Sequence, residues 1–276
     1  MYSQSSASIL SALFAFMLLA MEIGFRSGHR RQASAAEAIT QANAVLVSML
    51  GLLALLLAFT FSAALQRYED RSQTVVAEAN AIGTTYLRAR LLPGEMRDEV
   101  QAVLRQYLDV RIREGGVDST KLELHESLLH EAKLLETELW SHAVRAAELD
   151  KSVVTSGLFI QSLNELIDTS ATRNAALNRQ VPEIVLILMF ATIVLTAATL
   201  GYASGIAGHR VTLAAFVLLI LIAMVVFLIV DLDRPRRGVI QVSHESLVSL
   251  QQSIGTTGGN AAQPGSPPAA SQAPRR

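Results

Sequence analysis

The residues that could do chemistry are few, and their spacing limits what they could do. His125 and His130 enclose the stretch His125-Glu126-Ser127-Leu128-Leu129-His130, which has the residue types of a helical zinc site. Such a site needs two histidines four residues apart, stacked on one helix face, with a glutamate as base. Here they are five apart, which turns them about 140° from each other on a helix, so one ion cannot reach both. Glu138 and His142 are four apart, but a carboxylate-bridged di-iron site needs Glu-x-x-His on each of two helices. Asp231 and Asp233 lie in the stretch VDLDRPRRG, 230 to 238, and no other acid follows before Glu245. Calcium asks for six or more oxygen ligands, and Arg234, Arg236 and Arg237 would repel a cation while pairing with the aspartates. That cluster reads as a membrane-interface anchor: Pro235 ends a helix and the arginines reach lipid phosphates. Glu22 and Arg26, one helical turn apart near the end of an apolar run, read as an intramembrane ion pair, since a lone carboxylate there is costly. The chain has no phosphate-cradling glycine loop and no Gly-x-Ser-x-Gly elbow. With no cysteine, thiolate chemistry is excluded as well. The expectation is a protein without catalytic residues, metal or cofactor.

The elements that position these residues follow from hydropathy. Of 276 residues, 51% are hydrophobic, and the formal net charge is -1. A nucleic-acid binder needs a basic stripe to displace phosphate counterions, so none is expected as a partner. Four runs reach the ~20 residues that cross a hydrocarbon core: 7 to 25, 44 to 65, 183 to 204 and 211 to 230. Each is apolar around its whole circumference, so the bilayer itself is the first expected partner. The first run is not read as a signal peptide, because its positive charges, Arg26, Arg30 and Arg31, follow it rather than precede it. The spans form two hairpins, 7 to 65 and 183 to 230. Between them lies a polar, helical domain, 66 to 180, broken at Pro93-Gly94 and Gly115-Gly116.

Thr120-Lys121-Leu122-Glu123 fits a capping box and predicts a helix start. Within that helix Leu128, Ala132, Leu135, Leu139, His142, Ala146 and Leu149 form one stripe at coiled-coil spacing that another helix must cover. Gly24 to Gly28 and Gly201 to Gly205 each fit Gly-x-x-x-Gly, a spacing that lets helix backbones approach closely. Residues 231 to 254 form a juxtamembrane segment, and 255 to 276, rich in Gly, Pro, Ala, Ser and Gln, reads as a disordered tail. An even number of spans places both termini and the 66 to 180 domain on one side. Seven arginines near span ends there, against four opposite, favour the cytoplasm.

Several stretches carry a family resemblance: Glu22 to Arg26, GLLALLLAFTFSAALQRYEDRSQTVVAEANAIGTTYLRARLLP at 51 to 93, LGYASGIAGHR at 200 to 210, and LDRPRRGVIQVS at 232 to 243. Together they resemble the bacterial bestrophin-like membrane proteins, and more distantly the bestrophins, over residues 7 to about 254. The resemblance implies an all-α membrane protein of the bacterial inner membrane, with four transmembrane helices in two hairpins flanking a helical soluble domain. It further implies a homo-oligomer, a pentamer in bestrophins, that passes inorganic ions. In bestrophins the second span lines the pore, and bulky apolar side chains four residues apart form its neck. Leu53, Leu57 and Phe61 match that spacing here, with Leu55 and Phe59 as the alternative face. Rings of this kind gate by dewetting. The sequence departs from bestrophins directly after, where Ser62-Ala63-Ala64 replaces an asparagine-bearing, tryptophan-rich stretch. Calcium gating is not carried over either, since only the aspartate pair stands where bestrophins have an acidic segment. The rival reading is a non-conducting scaffold that docks a partner through its helical domain.

Overall fold

Long apolar runs in lipid leave helices as the way to satisfy backbone N–H and C=O groups within one segment, and helices are what form. The computed structural model describes residues 6–31, 36–117, 121–179, 181–210, 212–234 and 240–260, with no strand among them. In chain order the helices are α1 (Ser6–Arg30), α2 (Ala36–Arg88), α3 (Gly94–Gly115), α4 (Leu122–Leu149), α5 (Leu158–Asn178), α6 (Glu183–Ile206), α7 (Leu213–Leu232) and α8 (Glu245–Asn260). A 3-10 turn, Ala89–Leu91, ends α2, and a π turn, Val153–Gly157, precedes α5. Among the described residues four stretches are long and apolar enough to cross a membrane, Ser8–Arg30, Glu37–Leu91, Val153–Ile206 and Leu213–Leu232. Thr120, expected to open the capping box, lies outside the described residues; α4 begins two residues later, at Leu122.

The chain forms two compact units. The first holds α1, residues 36–74 of α2, the end of α5, α6 and α7. Here α1 packs along α6, the first helix of the other hairpin. The two Gly-x-x-x-Gly motifs are what permit this: a Cβ on Gly24 or Gly28 would overlap the carbonyl oxygens of Ala198 or Tyr202, and one on Gly201 or Gly205 those of Met21 or Phe25. Side chains of Met17, Met21, Leu53, Met189, Ile193, Leu219 and Ile229 close the core around that contact.

The second unit holds residues 75–88 of α2, then α3, α4, residues 158–170 of α5, and α8. The stripe on α4 is used within the chain, since α4 packs against α3. Leu128, Ala132, Leu135, Leu139 and Ala146 are buried there, while Leu149 at the end of the helix is exposed. After α4, Asp150 organises the turn by accepting from the Ser152 N–H at 2.9 Å and from the Thr155 hydroxyl. Those two donors hold its carboxyl below the usual aspartate range. At the other end α8 continues to Asn260, beyond the tail boundary expected at 255. Thr256 contributes there by donating its hydroxyl to the carbonyls of Gln252 and Ser253 at 3.2 and 3.0 Å.

Candidate functional site

Within the first unit α2 presents two different faces. One is buried: Leu53, Thr60 and Ala64 are inaccessible, with Leu57, Phe61 and Tyr68 packed against the same core. Thr60 satisfies its hydroxyl inside the helix, donating to the carbonyls of Leu56 and Leu57 at 2.7 and 3.1 Å, and lies 3.6 Å from the Met189 sulfur. The other face is bare: Leu52 is 54%, Leu55 53% and Phe59 67% exposed. With exposed Ser48 before them and Ser62 and Gln66 after, spacings of three and four residues put all six on one stripe of the helix. It is an apolar band between polar ends. Of the two faces expected to form a neck, Leu53, at 2% exposure, packs with Leu57 and Phe61 within the protomer, whereas Leu55 and Phe59 are exposed.

One turn beyond the stripe, α2 is locked in place by Arg71. Its guanidinium is 1% exposed and donates to carbonyls of Ala176 (3.3 Å), Arg179 (2.6 Å), Leu232 (3.0 Å) and Asp233 (3.4 Å). A buried arginine is tolerable when its donors are matched in this way. The aspartates of VDLDRPRRG are enclosed in the same region. Asp233 accepts from the Val181 N–H at 3.1 Å and lies 3.8 Å from Arg67, and Asp231 accepts from the Ile240 N–H at 2.9 Å. Asp231, Asp233 and Arg234 are all buried, because carboxylates that accept backbone N–H groups can be enclosed without leaving donors orphaned. Arg236 and Arg237 lie outside the described residues.

Comparison with known proteins decides the family. A family model described as the bestrophin-like domain matches residues 10–247. The chain belongs to the bestrophin-like family. Among solved structures, a tryptophan-to-alanine variant of a bacterial bestrophin homolog from Klebsiella pneumoniae superposes with a TM-score of 0.70 at 16% identity, covering 93% of this chain and 99% of that one. An isoleucine-to-threonine variant of the Klebsiella homolog gives 0.61 at 16% identity, over 91% and 97%. A structure described only as a membrane protein variant gives 0.64 at 16% identity, over 90% and 99%. No curated protein sequence matches significantly. The bestrophin-like chain is thus an integral membrane protein with the fold of these bacterial structures.

The remaining sites expected from this bestrophin-like sequence fall as follows. The Glu22 carboxylate meets the Arg26 guanidinium at 2.7 Å, with both side chains exposed. His125 approaches Glu114 at 3.4 Å, whereas His130 is exposed. Among the described residues no cluster of three or more His, Asp or Glu side chains could hold a metal.

A second constellation, in the second unit, escaped the sequence reading. Arg111 and Glu78 are both fully buried and joined at 2.6 Å. Tyr107 donates toward Glu78 and Glu136 at 3.3 and 3.2 Å, and Ser170 and Lys133 donate to Glu136 at 2.8 and 2.9 Å. Burial, reinforced by Glu78, pushes the Tyr107 hydroxyl well above its usual range. Burial works against the Arg111 charge, but Glu78, Tyr107 and Glu114 outweigh it and raise its pKa. The signal was present: Arg111 continues the buried register of Val100, Leu104, Tyr107 and Leu108 on α3, and Glu78 lies between buried Val75 and Ile82 on α2.

Proposed function

We propose that this bestrophin-like protein is a homo-oligomeric ion channel of the bacterial inner membrane, with a pore lined by the exposed face of α2. Its termini and the 66 to 180 region lie on the cytoplasmic side, and inorganic ions are what it passes. The observation that carries this reading is the bare apolar band of Leu52, Leu55 and Phe59, bounded by Ser48, Ser62 and Gln66. Repeated around an axis, the band becomes a short hydrophobic constriction with polar approaches, a geometry that gates by dewetting. Five copies, as in bestrophins, suffice to close such a ring. Calcium gating is not carried over to this reading, and Asp231 and Asp233 accept from backbone N–H groups.

Replacing Phe59 by Ala widens the ring in every copy. Single-channel conductance in a planar bilayer is expected to rise by about tenfold, as for a barrier lowered by ~1.4 kcal/mol. Phe61→Ala, on the packed face, lowers stability and leaves conductance near wild type. The reverse pattern would move the pore to the packed face. A detergent-solubilised particle with the mass of one chain, or absence of current in every salt tested, would end the channel reading.

A further inference from the structure

A cavity of about 330 Å³ lies in the second unit, among the end of α2, the 3-10 turn, the start of α3 and α8. Three arginines line it, Arg90, Arg97 and Arg105, together with Asp98. None of the three forms an ion pair with a carboxylate among the described residues. Arg105 donates to the Tyr86 hydroxyl at 3.0 Å and stands 5.9 Å from the centre of that ring. Arg97 donates one Nη to the Leu92 carbonyl at 3.3 Å, while its Nε is buried and meets no acceptor. Arg90 is exposed and makes no hydrogen bond or ion pair among the described residues. Arg88, outside the lining, donates to the Leu158 carbonyl at 3.1 Å, and three further arginines of this unit have carboxylate partners. Arg111 is paired with Glu78 at 2.6 Å, Arg113 with Glu131 at 3.0 Å, and Arg145 with Glu99.

Three guanidiniums against one carboxylate leave a surplus of two positive charges in the lining. A phosphate monoester carries about -1.5 to -2 at neutral pH, which matches that surplus; a single carboxylate does not. The planar fork of arginine suits phosphate oxygens, and a buried N–H without a partner gains most from an anionic acceptor. Leu250 and Ile254 of α8 and the Tyr86 ring supply an apolar wall for an organic group, and the volume falls at the small end of ligand pockets. We infer that this cavity is a binding site for the phosphate monoester of a small organic ligand, held by Arg90, Arg97 and Arg105 with its organic part against α8. Soluble esters and phosphatidic acid headgroups share this chemistry.

The test uses the full-length protein in detergent at low salt, with two probes, phenyl phosphate and dihexanoyl phosphatidic acid, each titrated calorimetrically. Saturable binding of at least one is expected, weakened at least tenfold in Arg97→Gln. Arg90→Gln, whose side chain makes no protein bond to lose, is the second variant and weakens the same binding. Tighter binding of phenyl phosphate assigns the site to a soluble ester, and tighter binding of the phosphatidic acid assigns it to a lipid headgroup. Saturation by neither probe, as when a neighbouring copy fills the cavity, or binding unchanged in both variants, would overturn the proposal. Because no ion current is read, failure here is separate from failure of the channel reading.

Discussion

Where α1 meets α6, the contact is made by Gly24, Gly28, Gly201 and Gly205, which carry no side chain at all. Where α2, α3, α4 and α5 meet in the second unit, the contact includes Glu78, Arg111, Tyr107, Glu136 and Ser170, five polar groups enclosed together. The difference follows from the solvent each unit displaces. Lipid tails are as apolar as leucine, so spans gain little by hiding leucine and associate instead by bringing backbones close. In the second unit apolar burial drives packing, and enclosed charges add cost unless each is matched, so they fix one arrangement rather than deepen stability.

The largest effect that could break this comparison is expected at Glu78. Glu78→Ala leaves Arg111 enclosed without its nearest carboxylate, which costs about 3–5 kcal/mol, read as a fall in the unfolding temperature of the detergent-solubilised protein. Replacing Glu78 and Arg111 together by Met should recover most of that loss; a double variant as unstable as the single one would show that the pair contributes net stability. Next comes Gly201→Val. Its added carbons strike the Met21 backbone, which cannot move aside as a side chain would, so a cost of about 3 kcal/mol is expected. The checks are the yield and monodispersity of solubilised protein, and normal behaviour would mean that α1 and α6 do not need their close approach.

A smaller effect depends on pH. Because the Tyr107 hydroxyl is raised in the folded state, its contribution is complete below the unfolded tyrosine value of about 10 and is lost as pH rises toward the folded value. Unfolding temperatures measured near pH 8 and near about pH 11 should therefore diverge more in wild type than in Tyr107→Phe. Equal divergence in the two would place the alkaline sensitivity elsewhere.

Much of the membrane unit was legible because lipid imposes a rule on whole segments. Twenty apolar residues in a row read as a span whatever their order, and both glycine motifs were visible as spacings. The orientation of α2 was not legible, because GLLALLLAFTF is apolar on every side. Its partners settle that choice: Leu53 and Leu57 meet the core, and Leu55 and Phe59 do not. The aspartates of VDLDRPRRG read as partners of the neighbouring arginines, since their acceptor role depends on Val181 and Ile240, one of them 52 residues away. Local spacing holds no trace of such a bond. Glu78 and Arg111 were readable in principle, as charges standing in an apolar register, but a register becomes evident only once the helix face it belongs to is known to be covered.

Arg71 sets a limit on what this chain can vary. Four carbonyl oxygens, from the end of α5, the turn after it and the end of α7, converge on one planar group whose N–H bonds point along fixed directions. An ammonium has three donors on a single atom and cannot span that set, and an apolar side chain of equal length would offer those oxygens no donor at all. The position therefore has no near neighbour in the genetic alphabet, and even the mildest exchange, to lysine, would loosen the second and fourth spans from each other.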